Sequence, residues 1–367
     1  MTVSEEIEGK KRKLRGIMDS RGLDAILIKK QGNFSWITAG ASSIVGINAE
    51  LGAAALLFTK ERQYAICNNV DGTRMEFEEG LPGLGYEMRI FDWWEDREGA
   101  IVAELVGGGK LGSDFGFPGS VDISKDLNPL RYSLCPPEVE RYKALGLATA
   151  RAIEETMLTA RPGDKECEVV GRLAEKLWAE RVDYILVLGA ADERISRFRH
   201  PVPTEKRVEK RLMLSVNSRK HGLIVSLTRF VQFGKVPADL ADQYRKNVYI
   251  DSVLMASTIP GRPAKEAYAA GIEAYREAGY PEEWRLHHQG GSIGYVGRDY
   301  KVNPNTADIV QENQGFTWNP SIMGTKSEDT ILATSSGPVM LSPPLLYPTI
   351  EMDVLGRRFV RPAILEL

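Results

Sequence analysis

The chain predicts an α/β (α+β) protein of two domains. Its 367 residues suffice for about two or three domains of ordinary size. Short apolar runs bounded by turn residues alternate with stretches whose apolar residues recur at helical spacing. The pair Pro136-Pro137, followed by Glu138-Val139-Glu140-Arg141, suits a linker and then a helix start. The boundary is therefore set between residues 1–134 and 135–367.

Within the first domain, Ile7, Leu14, Ile17 and Met18 fall on one helical face, and Gly22 follows as a stop. Asp24-Ala25-Ile26-Leu27-Ile28 is a buried-strand candidate. The runs Ala54–Phe58 and Gln63–Cys67 repeat the pattern around a turn at Thr59-Lys60-Glu61-Arg62. A helix over 96–106 leads to Gly107-Gly108-Gly109-Lys110, which lacks the GxxxxGK[ST] spacing of a phosphate loop and reads as a turn. Strand-like Leu111–Asp114 follows. In the second domain a helix runs to about Arg161 and ends at Pro162-Gly163-Asp164. Another spans about Lys165–Arg181, extended segments continue to Gly234, a helix covers about Pro263–Gly279, and strands follow His287.

Composition excludes several classes. Hydrophobic residues make up 43% and charged residues 26%, as in globular proteins with sizeable cores. The net charge of −3 offers no bulk attraction to nucleic acid or an anionic membrane. The longest apolar runs, such as Ala53–Phe58, fall far short of the roughly 20 residues of a membrane span. Residues 1–13 are polar and of mixed charge, unlike a secretion signal. Cys67, Cys135 and Cys167 are odd in number and lack a CxxC pair, which fits free thiols and a cytoplasmic location.

Four segments carry the chemistry: Arg199-His200-Pro201-Val202-Pro203-Thr204; Leu214-Ser215-Val216-Asn217-Ser218 with Ser226-Leu227-Thr228-Arg229; His287-His288-Gln289-Gly290-Gly291-Ser292-Ile293-Gly294; and Trp318-Asn319-Pro320 with Ser327-Glu328-Asp329-Thr330. Their order and spacing resemble the pita-bread family of methionine aminopeptidase, aminopeptidase P, prolidase and creatinase. The resemblance covers nearly the whole chain. It implies a small creatinase-like N-terminal domain, a pita-bread catalytic domain, and a homodimer in which Trp93-Trp94 is a candidate interface, with core packing the favoured place for that pair. In metal-dependent members two Asp, one His and two Glu hold two divalent ions. The resemblance sets Asn217, Ser226, Gly291 and Asn319 against four of these ligands and keeps only Glu328. One carboxylate cannot offset the charge of two divalent ions, so no metal and no other cofactor is expected. A single ion on His287, His288 and Glu328 is disfavoured, because neighbouring residues of an extended segment point to opposite faces.

The expected catalytic residues are thus His200 as proton acceptor, His287 as second proton carrier or oxyanion donor, and Glu328 as partner of a substrate cation or N–H. In creatinase, which needs no metal, the residue matching His200 is the general base. Asn217 and Asn319 can orient a polar ligand by donor and acceptor together. Arg229 either anchors a substrate carboxylate or pairs with a neighbouring acid, the latter being favoured. His288 is chiefly structural and Tyr295 a pocket-lining candidate, both set among substrate-binding residues. His221 reads as a solvated hairpin residue. Three functions follow: a metal-independent creatinase-like hydrolase of a C–N bond in a small nitrogenous metabolite; an Xaa-Pro aminopeptidase or dipeptidase with an altered metal site; and a non-catalytic module that binds a ligand or protein.

Overall fold

Capping and strand pairing account for the start of the chain. Thr2 Oγ1 accepts the Glu5 amide at 3.2 Å while the Glu5 carboxylate accepts the Thr2 amide at 2.7 Å. Helix α1 (Val3–Arg21) begins on this box and stops at Gly22, whose left-handed backbone suits a residue without Cβ. The structure is a computed structural model describing residues 1–367. It forms two compact units, Met1–Glu138 with His221–Leu223, and Val139–Lys220 with Ile224–Leu367.

The first unit is built on a six-stranded sheet. After α1 come β1 (Ala25–Lys30), α2 (Gln31–Ile37), β2 (Leu51–Thr59), β3 (Gln63–Asn68), α3 (Asn69–Phe77), β4 (Glu87–Phe91), α4 (Glu98–Val106), β5 (Leu111–Ser113), β6 (Val121–Asp122) and α5 (Ser124–Leu127). Strand order is β4-β3-β2-β1-β5-β6. Ala25, Leu27, Ala55, Leu57 and Ile66 meet in one core cluster. Trp93 and Trp94 are not in a core: they are 64% and 63% exposed, packing edge to face on each other. This corrects the favoured expectation, because both follow the last residue of edge strand β4 and no element of their own unit covers them.

In the second unit α6 (Pro136–Leu158) and α7 (Glu166–Ala179) precede β7 (Asp183–Ala191), α8 (Glu193–Arg197), β8 (Arg211–Lys220) and β9 (Leu223–Gln232). Helices α9 (Ala238–Ala256) and α10 (Ala264–Glu277) follow, then β10 (Gly290–Ser292), β11 (Tyr300–Lys301), β12 (Gln314–Trp318), β13 (Ser321–Ile322), β14 (Thr325–Lys326), β15 (Asp329–Ala333), β16 (Val339–Met340), β17 (Thr349–Val354), β18 (Arg357–Pro362) and β19 (Leu365–Glu366). Helix α9 escapes the periodicity reading because buried Asn247, Asp251 and Ser252 interrupt its apolar face. Beside the two-stranded pairs β13-β14 and β17-β18, the two larger sheets run β19-β9-β8-β7 and β11-β10-β12-β15-β16. Helices α9 and α10 pack on the second through Leu254, Tyr275, Phe316, Trp318 and Ile331. The sheets meet along β9 and β15, where Thr228 N donates to Glu328 O at 3.0 Å and Ser226 N to Thr330 Oγ1 at 2.8 Å. No helix is long and apolar enough to cross a membrane.

Candidate active site

Strand alternation sorts the residues at this seam onto two sides. Ser226 and Thr228 face one way from β9, and Lys326, at the end of β14, and Glu328, in the link to β15, do the same. Ser226 Oγ lies 2.8 Å from Glu328 Oε1 and 2.7 Å from Asn217 Oδ1, so its one proton serves one of them at a time. Thr228 Oγ1 donates to Glu328 Oε2 at 2.7 Å. Ser215 Oγ stands 2.5 Å from Thr228 Oγ1 and, since the Thr228 proton is committed, donates to it. Lys326 Nζ lies 2.8 Å from Glu328 Oε2, and Arg298 Nη2 3.9 Å from Oε1. Burial alone would raise the Glu328 carboxyl, but Lys326 and Arg298 overcome it and hold it at about 2.

The other side of the same strands is a closed ion network. Arg229 is fully buried, 2.8 Å from Glu154, 2.9 Å from Asp329 and 3.1 Å from the Ser342 carbonyl. Arg361 joins Asp329 at 3.0 Å and Asp251 at 2.6 Å. Arg229 is therefore the paired residue that was favoured, and as a substrate anchor it is withdrawn.

The histidines come from two loops. Buried Glu166 holds the first by accepting the Ala191 amide at 2.7 Å, the Thr204 amide at 2.8 Å and the Thr204 hydroxyl at 2.7 Å. Arg199 pairs with Glu283 in the turn Glu283–Leu286 and donates to Ser321 Oγ at 2.8 Å. That tie brings His200 beside His287, Nε2 to Nε2 at 2.9 Å. One ring must donate there. His287 Nδ1 is buried without a partner, and a bare lone pair costs less than a bare N–H. His287 is accordingly assigned as donor and His200 as acceptor. Burial, reinforced by the Lys326 charge, lowers His200 and takes His287 down to about 2. Burial and Arg298 take His288 to about 4. All three rings are neutral at pH 7.

His288 does not turn away from its neighbour: the His287 and His288 rings stack at 4.4 Å and 26°. The opposite-face expectation fails because His287 closes a 3₁₀ turn ahead of β10 rather than lying inside a strand. Glu328 is also corrected, since its cation is supplied by Lys326. Tyr295 is buried and His221 exposed in the β8–β9 turn. Asn319 is buried with an unpartnered Oδ1. Lys326, Ser215 and Thr228 were missed among the candidates. The signal for Lys326 was its place two residues before Glu328, on one face of an extended segment.

A pair of divalent ions does not fit this donor set. Asn217, Ser226, Gly291 and Asn319 bring no charge, and both Glu328 oxygens are already engaged. A Cβ built on Gly291 would stand 2.2 Å from the Tyr300 carbonyl oxygen, so its backbone admits no ligand side chain.

Two sheets meeting at a polar seam, with paired helices on one of them, define an α/β protein of the pita-bread fold. Residues 140–335 match the model of metallopeptidase family M24, slightly more than half of the chain, and the protein belongs to that family. The expectation of a family hydrolysing C–N bonds is borne out at this level. An Xaa-Pro dipeptidase of Pyrococcus horikoshii is 23% identical over 359 residues, covering 89% of this chain and 95% of that protein. The solved prolidase of P. horikoshii has a TM-score of 0.77 at 20% identity, covering 92% of this chain and 99% of its own. For the Xaa-Pro dipeptidase from Bacillus anthracis the values are 0.76, 20%, 98% and 100%. The N-terminal domain of the FACT subunit SPT16 from Cicer arietinum gives 0.70 at 12% identity, covering 93% and 97%. At these identities the structural likeness speaks for the fold.

Proposed function

We propose that this M24 protein is a metal-independent hydrolase of a C–N bond in a small nitrogenous metabolite. The observation that carries the reading is the Lys326 ammonium seated 2.8 Å from the Glu328 carboxylate, a fixed internal cation among the positions that the resemblance assigns to metal ligands. In the neutral His200–His287 pair, Nδ1 of His287 carries the free lone pair: it takes a proton from water as the His287 Nε2–H passes to His200 Nε2, and the reverse shift returns one to the leaving nitrogen. Lys326 and the partly satisfied guanidinium of Arg298, whose Nε lacks a partner, face negative charge developing on the substrate oxygen. The unpartnered Oδ1 of Asn319 is left to accept a substrate N–H, the role that Glu328 cannot fill. Chelator-treated protein should turn over a member of an amide, amidine and guanidino panel, and His200→Ala should slow it by about 10²–10⁴-fold. Undiminished turnover in that variant removes the proposed base.

The saturation of Glu328 by internal donors also favours a second reading, a module that binds such a metabolite without converting it. Ligand binding by calorimetry with no product over the same panel supports that reading against the first. An Xaa-Pro dipeptidase activity with an altered metal site requires an ion whose removal by chelator abolishes cleavage of an Xaa-Pro dipeptide, which assays before and after stripping read directly.

A further inference from the structure

Three imidazoles converge at one end of the seam. Ring nitrogens of His200, His287 and His288, one from each, all lie within 4.8 Å of one another. The rings of His200 and His287 meet edge to face at 4.9 Å, and those of His200 and His288 are 5.7 Å apart. Two ring nitrogens of the group, Nδ1 of His287 and Nδ1 of His288, are buried without a hydrogen-bond partner. Buried polar atoms are nearly always satisfied, so the bare Nδ1 of His288 points to a group missing among the three rings, while the bare Nδ1 of His287 lies on the ring edge opposite the Nε2 that meets His200. A transition-metal ion is the group that suits them. Water, with its two O–H groups, serves at most two of the nitrogens, whereas a metal takes a lone pair from each of the three rings at once.

We propose that His200, His287 and His288 form a binding site for a single divalent d-block cation such as Zn²⁺ or Co²⁺. The site is separate from the carboxylate positions at which the family resemblance sets its metal ligands, for it uses none of Asn217, Ser226, Gly291, Asn319 or Glu328. Its all-nitrogen donor set selects borderline cations over Mg²⁺ and Ca²⁺, which require oxygen ligands. An ion held by Nε2 of both His200 and His287 replaces the hydrogen bond between them, the His287 proton moving to Nδ1; two nitrogens about 2.0–2.1 Å from one tetrahedral ion stand roughly 3.3 Å apart, a small opening from 2.9 Å. Exposed His200 gives the ion a path from solvent. Neutral rings release no proton on binding at pH 7. Lys326 and Arg298 oppose the ion's charge and Glu328 offsets part of it. A fourth position is thus left for water or an anion, as in other three-histidine sites.

The site stands independently of the proposed hydrolysis. If both hold, the cation is an inhibitor, because it occupies the lone pairs needed for proton transfer. Full-length, chelator-stripped protein is titrated with Co²⁺ and read by visible absorption, with metal analysis after dialysis. One ion per chain is expected, with the intense absorption of a tetrahedral site. His200→Ala and His288→Gln each weaken binding at least tenfold, while His221→Ala, in the exposed β8–β9 turn, leaves it unchanged. Circular dichroism confirms that each variant is folded, and His200, on an exposed loop, is the substitution the fold tolerates best. Absence of a bound ion, or equal affinity in the folded His200→Ala and His221→Ala proteins, overturns the site. Cobalt binding without any turnover refutes the hydrolase and leaves this site standing. Turnover without cobalt binding does the reverse.

Discussion

Without the Lys326 ammonium, Glu328 keeps two hydroxyl donors and a guanidinium 3.9 Å away, in a place that is only 3% exposed. A buried charge deprived of its partner is destabilising by about 3–5 kcal/mol, whereas removing both charges together is often close to neutral. Lys326→Met should therefore lower the urea-unfolding free energy at pH 7 by about 3 kcal/mol, and adding Glu328→Gln should restore most of it. If the single variant loses less than about 1 kcal/mol, in the range of exposed pairs, Lys326 is not the carboxylate's principal counter-charge. Arg229 teaches the opposite lesson about reading a lone basic residue. From sequence it was a substrate anchor or, the favoured reading, half of an ion pair. Strand alternation sends it to the side opposite Ser226 and Thr228, into Glu154 and Asp329.

Among elements, β10 shows how backbone geometry fixes what a position can hold. Gly290 and Gly291 both have positive φ, and a Cβ at Gly291 would also meet Lys301 Cα at 3.1 Å. Gly291→Ala must push β11 aside and is expected to cost about 1–3 kcal/mol, read as a lower thermal midpoint. A variant as stable as the parent would mean that β10 and β11 are not closely paired. The glycines were legible as positions of close approach, whereas their partner strand was not, because Tyr300–Lys301 is only two residues long. Helices α1, α4, α7 and α10 and strands β1–β3 were readable from periodicity. Helix α9 was hidden by its buried polar residues. At the site, four blocks of spacing placed His200, His287 and Glu328 in one unit. Spacing carries no information on side-chain direction at a turn, which is why the stacking of His287 on His288 and the capping of Glu328 by Lys326 were out of reach.

Over the whole molecule, these groups give stability a direction with pH. His287 falls from an ordinary 6.5 to about 2 and His288 to about 4, and His200 is lowered as well. As pH drops below about 6.5 the unfolded chain binds protons that the fold refuses, so stability is lost on acidification, by about 1.4 kcal/mol per pH unit for each proton excluded. Glu328 adds a loss of the same sign between 4.5 and about 2. Asp251 works against them: burial, only partly countered by Arg361, raises it from 3.8 to about 6. The fold then binds a proton that the unfolded chain lacks, and this gains stability as pH falls from about 6 to 3.8. Asp114, also raised by burial, acts in the same sense as Asp251, and the three histidines outnumber the two aspartates. Urea midpoints measured with chelator present, so that the imidazoles carry no cation, should fall from pH 7.5 to pH 5. His287→Gln should flatten that fall by close to one proton's worth, since its side chain cannot titrate. A variant whose midpoints decline as steeply as the parent's would show that His287 is protonated as readily in the fold as in water, and would remove the buried, neutral imidazole on which the proposed proton transfer depends.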